Sequence, residues 1–288
     1  MPAPVADPYQ QHDDPLMAST LPGFAIVAGV VAAALYALTL ALMVRDVRRH
    51  RLPPVGTLLV FVVAALLLHA LSTWMLIDQP SGFYLGFFTA STLVALVMAA
   101  FVTVAAIRLP VQNLLVLVLP IGILTIVGSL TGHTAFNPRT QLEASLIAHI
   151  LVSITAYGIL FTAACQALVL TFQEHVLRSK RSMVTLRLLP PLETMESLLF
   201  ALLWGGVVAL TLAIGSGFAF LDDLFAQQVV HHTVLTMASW LIYTGLLVGH
   251  YVFGWRSYTA TYGTLVAFGL LLLGYLGSKF VLEVLLGR

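Results

Sequence analysis

Long apolar runs separated by short polar breaks dominate the chain. From residue 22 onward, apolar windows recur eight times, each with the roughly 20 residues that a helix needs to cross a bilayer. They fall near 22–44, 56–77, 83–107, 111–130, 145–172, 197–220, 231–253 and 262–285. The pattern predicts an all-α fold, a polytopic membrane bundle of eight transmembrane helices. Residues 1–20, MPAPVADPYQQHDDPLMAST, carry no periodicity and are rich in Pro, Gln and Asp. They predict a disordered tail, leaving residues 21–288 as one membrane domain. No basic stretch precedes the first apolar run and no small-residue cleavage site follows it, which speaks against a cleaved signal peptide. Met17 offers an alternative start.

Composition strengthens this picture. Of 288 residues, 60% are hydrophobic and only 9% charged, against about 25% charged in a soluble domain. A net charge of +1 leaves no basic footprint for nucleic acid. The distribution of the few cations is more telling. Arg45, Arg48, Arg49, Arg51, Arg108, Arg178, Lys180, Arg181, Arg187 and Arg256 all follow odd-numbered spans, and only Arg139, Lys279 and Arg288 lie on the other side. Cytoplasmic loops are enriched in Lys and Arg, so both termini are expected on the outer, periplasmic side. Connections are short, which confines any chemistry to the bilayer or its surface. The acidic Glu193 and Glu196 are placed to open span six, where carboxylates suit a helix N-terminus. Glu283, near the outer end of span eight, is expected at the interface. Cys165, the one cysteine, has no disulfide partner and no CxxC companion. It reads as core packing.

Glycines at Gly205-Gly206 and around Gly215-Ser216-Gly217 mark close helix approach, although small residues would also make room for a flat cofactor. Nine histidines carry the remaining chemistry. His12, His50, His133 and His175 sit in polar surroundings and read as solvated. His231 and His232 open span seven, but neighbours on a helix point about 100° apart, which disfavours a shared ligand role. His69, His149 and His250 have apolar neighbours. By helical rise, His69 lies roughly 13 Å and His149 roughly 7 Å below the outer boundary, whereas His250 belongs to the cytoplasmic third. His69 and His149 are therefore expected to share one ligand at similar depth. Ser153, Ala156 and Tyr157 share a face with His149. Trp240, Tyr243 and Leu247 share one with His250, a stripe that suits either a porphyrin wall or plain helix packing. Neutral imidazole ligates b-type haem iron, and no carboxylate at similar depth suggests a proton path. For each ring the plain alternative is a hydrogen bond inside the bundle.

The segment His149-Ile-Leu-Val-Ser-Ile-Thr-Ala-Tyr157, the run Leu189-Pro-Pro-Leu-Glu193, the later SWLIYTGLLVGHYVFGWR and the terminal LGYLGSKFV resemble the cytochrome c assembly (CcsA/CcmC-type) haem-handling family. Within it they are most similar to the short YpjD-like inner-membrane branch. The resemblance covers about residues 22–286. It implies that His149 is an outer haem ligand and that His250 is the membrane-embedded histidine of the family. Two departures stand out. The family's tryptophan-rich outer segment should fall between Gly217 and Thr233, where this chain has FAFLDDLFAQQVVHH. Its second outer histidine is replaced by Ser278 and Lys279. We expect His69 to supply the missing second ligand.

These readings predict a haem b-binding, non-enzymatic protein of the bacterial inner membrane. It would handle haem for cytochrome c assembly, with His69, His149 and His250 as metal ligands and Tyr157, Trp240 and Tyr243 as cofactor contacts. Its partners would be haem, the lipid bilayer and other cytochrome c maturation components. No catalytic carboxylate pair, reactive thiol or nucleophile triad suggests an enzyme. An accessory subunit of a membrane complex, or a permease for another amphipathic solute, are the alternatives.

Overall fold

The computed structural model describes residues 23–49, 55–79, 82–109, 111–132, 143–179, 191–220, 230–256 and 258–286. The expected N-terminal tail, residues 180–190 with the second half of RSKR, and residues 221–229 lie outside these residues. Among the described residues, eight helices are long and apolar enough to cross a membrane. They are built on α1 (Gly23–Arg48), α2 (Val55–Ile77), α3 (Phe87–Arg108), α4 (Leu115–Thr131), α5 (Ala144–Ser179), α6 (Leu192–Phe220), α7 (Val230–Phe253) and α8 (Tyr258–Leu272), the fourth span starting at Gln112 and the eighth running on to Leu285. Helix α8 continues through π-helical turns at Leu273–Gly277 and Phe280–Leu285. The protein is a multi-pass membrane protein.

Several helices run beyond the hydrophobic windows. Helix α5 spans 36 residues and α6 begins at Leu192, because a helix continues into the polar margin wherever its backbone remains internally bonded. Glu193 lies in the first turn of α6, as expected from the helix dipole. Asp78–Gln79 and Gly82–Phe83 form a two-residue hairpin between α2 and α3 that the apolar pattern does not predict.

Lipid-facing positions keep their bulk outward. Val60, Leu67, Val104 and Leu124 are more than 60% exposed, while small or compact residues turn inward. On α1 the buried face reads Ala25, Ala28, Ala32, Tyr36, Thr39, Met43 and Asp46, at steps of three and four, with Gly29 beside it. Hydroxyls inside the spans mostly donate to carbonyls one turn back, as in Thr39 to Leu35, Thr103 to Ala99 and Thr162 to Gly158. This satisfies them without a partner helix.

The bundle has two cores. One joins α1, α2, α3 and α4 and includes Tyr36, Val62, Met98 and Leu119, with Cys165 against it. The other joins α5, α6, α7 and α8 around Leu160, Leu203, Tyr243 and Leu271. Helix α3 packs on α5 and forms the seam. At Gly158 a Cβ would lie 3.0 Å from the Val97 Cβ and 3.4 Å from the Met98 backbone nitrogen, so glycine sets how close the halves approach.

A buried ion pair ties the end of the last span to the first half. Lys279 Nζ lies 3.0 Å from Glu283 Oε1 and donates to the Leu85 carbonyl at 2.7 Å. The Phe87 amide, at the start of α3, donates to Glu283 Oε2 at 2.6 Å. Near the end of the last span, Glu283 is only 8% exposed. An acid at this depth is tolerated because it is paired and also receives a helix N-terminal amide.

Candidate functional site

A half-open cavity of about 240 Å³ lies where α5 and α7 begin and α6 ends. Helix α5 contributes His149, Ser153 and Tyr157. Helix α6 contributes Ala213, Gly217 and Phe218. Helix α7 supplies His232, Thr236 and Met237, and the first π-helical segment after α8 supplies Tyr275. Among the described residues, no Asp, Glu, Lys or Arg lines it. The lining combines apolar walls with a few convergent polar groups, the usual makeup of a small-molecule site.

The residues around His149 decide which nitrogen carries the proton. Its Nδ1 is 2.9 Å from Ser216 Oγ. The Ser216 hydroxyl donates its single proton to the Ala213 carbonyl, also at 2.9 Å. Ser216 can then only accept from the ring, so Nδ1 carries the hydrogen and Nε2 of the neutral ring holds the lone pair. A ligating histidine typically has this arrangement, with the remote nitrogen anchored and the other available. The Gly-Ser-Gly run therefore serves the site. Its serine orients His149, and Gly217 lines the cavity. Gly206 follows the packing reading instead, facing the Leu160 side chain on α5.

Tyr157 closes the inner end of the cavity. Its hydroxyl donates to the Leu271 carbonyl at 2.6 Å, and its ring lies 5.4 Å from Tyr275. The phenol is thus committed to holding α8 against α5, and the ring presents an apolar face. The Tyr275 ring in turn lies 5.6 Å from that of His232. His231, one residue earlier, is exposed. The 100° step between neighbours, which argued against a joint role, also explains why one of the two turns inward.

The expected meeting of His69 with His149 does not occur. His69 is fully buried in the first core. Its Nε2 lies 2.8 Å from Thr92 Oγ1, and its Nδ1 lies 3.3 Å from the Tyr36 hydroxyl. Both ring nitrogens have hydroxyl partners, and the ring is absent from the cavity wall. Similar depth suggested that the two histidines could meet, but they belong to different halves of the bundle.

His250 occupies the other end of α7. It stands 18 residues after His232, roughly 27 Å by helical rise. Its Nδ1 donates to the Trp255 carbonyl at 2.8 Å, since a carbonyl can only accept. Its ring stacks on Phe200 with centroids 3.5 Å apart. Gly254, at φ +67°, turns the chain so that Trp255 folds back over Gly249, its amide donating to the Gly249 carbonyl. The Gly-Trp-Arg ending thereby positions the imidazole. Of its expected wall, Trp240 turns to α6, its Nε1 donating to Thr211 Oγ1 at 2.8 Å. Tyr243 is fully buried in the second core. Neither lines the His149 cavity.

Sequence comparison supplies an independent line. A family model described as cytochrome c assembly protein matches residues 57–286. The chain is 29% identical over 272 residues to the inner membrane protein YpjD of Escherichia coli K12, covering 92% of this chain and all of that protein. It is 37% identical over 141 residues to an uncharacterized 28.8 kDa protein from a nifR3-like 5′ region of Azospirillum brasilense, covering 48% and 52% of the two chains. No solved structure matches it.

Proposed function

This chain belongs to the cytochrome c assembly protein family, and from that premise and the donor chemistry of the cavity we propose that it holds haem b in the bacterial inner membrane. It acts in cytochrome c biogenesis as a binding protein rather than an enzyme. The relative from Escherichia coli is named an inner membrane protein. The distribution of Lys and Arg supports an outer-facing cavity.

One observation carries the reading: Ser216 takes the proton-bearing nitrogen of His149 and leaves Nε2 with its lone pair, in a cavity that no Asp, Glu, Lys or Arg lines among the described residues. Haem, when bound, supplies a redox-active iron that accepts imidazole nitrogen. The chain's own residues support this reading. His149 would donate to the iron, Ser216 orients the ring, and Tyr157 and Met237 present apolar surface to the cavity. A cavity of about 240 Å³ is smaller than the roughly 300–1,000 Å³ of typical ligand sites. Its open side accordingly leaves part of a macrocycle outside, which suits a protein that passes haem on. His250, also with Nδ1 anchored and Nε2 left with the lone pair, is a second imidazole donor in this proposal, too remote to share a ligand with the cavity.

Complementation tests the role. Cells lacking the protein should contain several-fold less haem-stained cytochrome c. The wild-type gene should restore it, and His149→Ala should not. Undiminished holocytochrome in the deletion strain contradicts the assignment to cytochrome c assembly.

A further inference from the structure

Resting on the haem reading, we infer that His232 is the second imidazole that would hold the haem iron together with His149, one ligand coming from α7 and the other from α5. Three observations lead there. The His232 ring lines the same cavity as His149, in a wall that holds no other nitrogen or sulfur donor except the thioether of Met237. Its Nδ1 is 3.2 Å from the hydroxyl of Thr236, one turn further along α7. That hydroxyl engages the nitrogen nearer the backbone, and among the described residues Nε2 has no hydrogen-bond partner. The ring is also held from the side. Tyr275 packs against it, and Gly274 brings the last span close, since a Cβ there would sit 3.2 Å from the Leu235 Cβ and 3.7 Å from His232 Nδ1.

This arrangement accounts for a chain in which Lys279 is committed to Glu283 and the Leu85 carbonyl and His69 is sealed among hydroxyls. Neither can reach the cavity. His232 can, and its ring is anchored from two directions, which is what an axial ligand requires.

The test uses the full chain purified in detergent from haem-replete cells and read by absorption and electron paramagnetic resonance. Wild type should show low-spin, six-coordinate haem. His232→Ala should lose the low-spin signal and become high-spin, and added imidazole should restore it. His231→Ala and His69→Gln should keep the wild-type spectrum. A low-spin spectrum in His232→Ala without imidazole overturns the inference while leaving haem binding intact. If His232→Ala emerges without haem, reconstitution with haem and imidazole decides. Recovery of protein-retained low-spin haem there supports the pairing, and failure to recover it overturns it. A colourless wild type overturns both this pairing and the haem reading beneath it.

Discussion

Single hydrogen bonds decide what each histidine can do. The His149 tautomer depends on Ser216, whose own proton is spent on Ala213. Ser216→Ala should weaken haem affinity by about 10- to 100-fold, the usual effect of removing an anchor behind a ligand. Ser216→Thr should retain most of it, and a haem titration of the purified variants checks both. His69 makes the opposite case. Replacing it with Leu strands the hydroxyls of Tyr36 and Thr92 in a fully buried setting. Each orphaned group costs about 1–3 kcal/mol, so thermal unfolding should fall markedly while any haem spectrum is unchanged. The difference between these rings was only partly legible in the sequence. Apolar neighbours mark both as buried, and Tyr157 on the His149 face pointed correctly to the cavity. Depth along a helix says nothing about which helix stands opposite, and that is where the pairing of His69 with His149 failed. His232 was passed over because its adjacency to His231 hides which of the two turns inward. Thr236, one turn away, was the available signal.

Elements differ in how openly the chain announces them. Spans are plain because an apolar window of bilayer length has few other uses. The π-helical turns after α8 leave no such mark, yet one carries Tyr275 into the cavity and the other brings Glu283 to the first amide of α3. Such turns often coincide with functional positions. Lys279→Met would leave Glu283 buried without its cation, a loss of roughly 3–5 kcal/mol. Replacing both, with Lys279→Met and Glu283→Leu, should recover much of it. Thermal unfolding in detergent distinguishes the two outcomes. The seam between α3 and α5 is equally sensitive. Gly158→Val places methyl groups against Val97 and the Met98 backbone, and overpacking there should cost about 1–3 kcal/mol by the same measurement.

The whole molecule is two four-helix cores joined along α3 and α5, and its chemistry is divided between them. The first core buries its histidine among hydroxyls; the second opens a cavity around two. A division of this kind cannot be read from hydropathy, which treats all eight spans alike. Orientation can be read from Lys and Arg, and it predicts that alkaline phosphatase fused after Arg288 will be active, because the enzyme works only outside the cytoplasm. An inactive fusion, with an active one in the loop after α5, would reverse the bundle and put the cavity on the inner face. The central claim is that His149 offers its lone pair to haem. Its most direct test is the haem content and reduced absorption spectrum of the protein purified from haem-replete cells, beside those of His149→Ala. The account predicts a b-type spectrum in the wild type that is lost in a variant of unchanged thermal stability. A colourless wild type, or full haem content in His149→Ala, would contradict it.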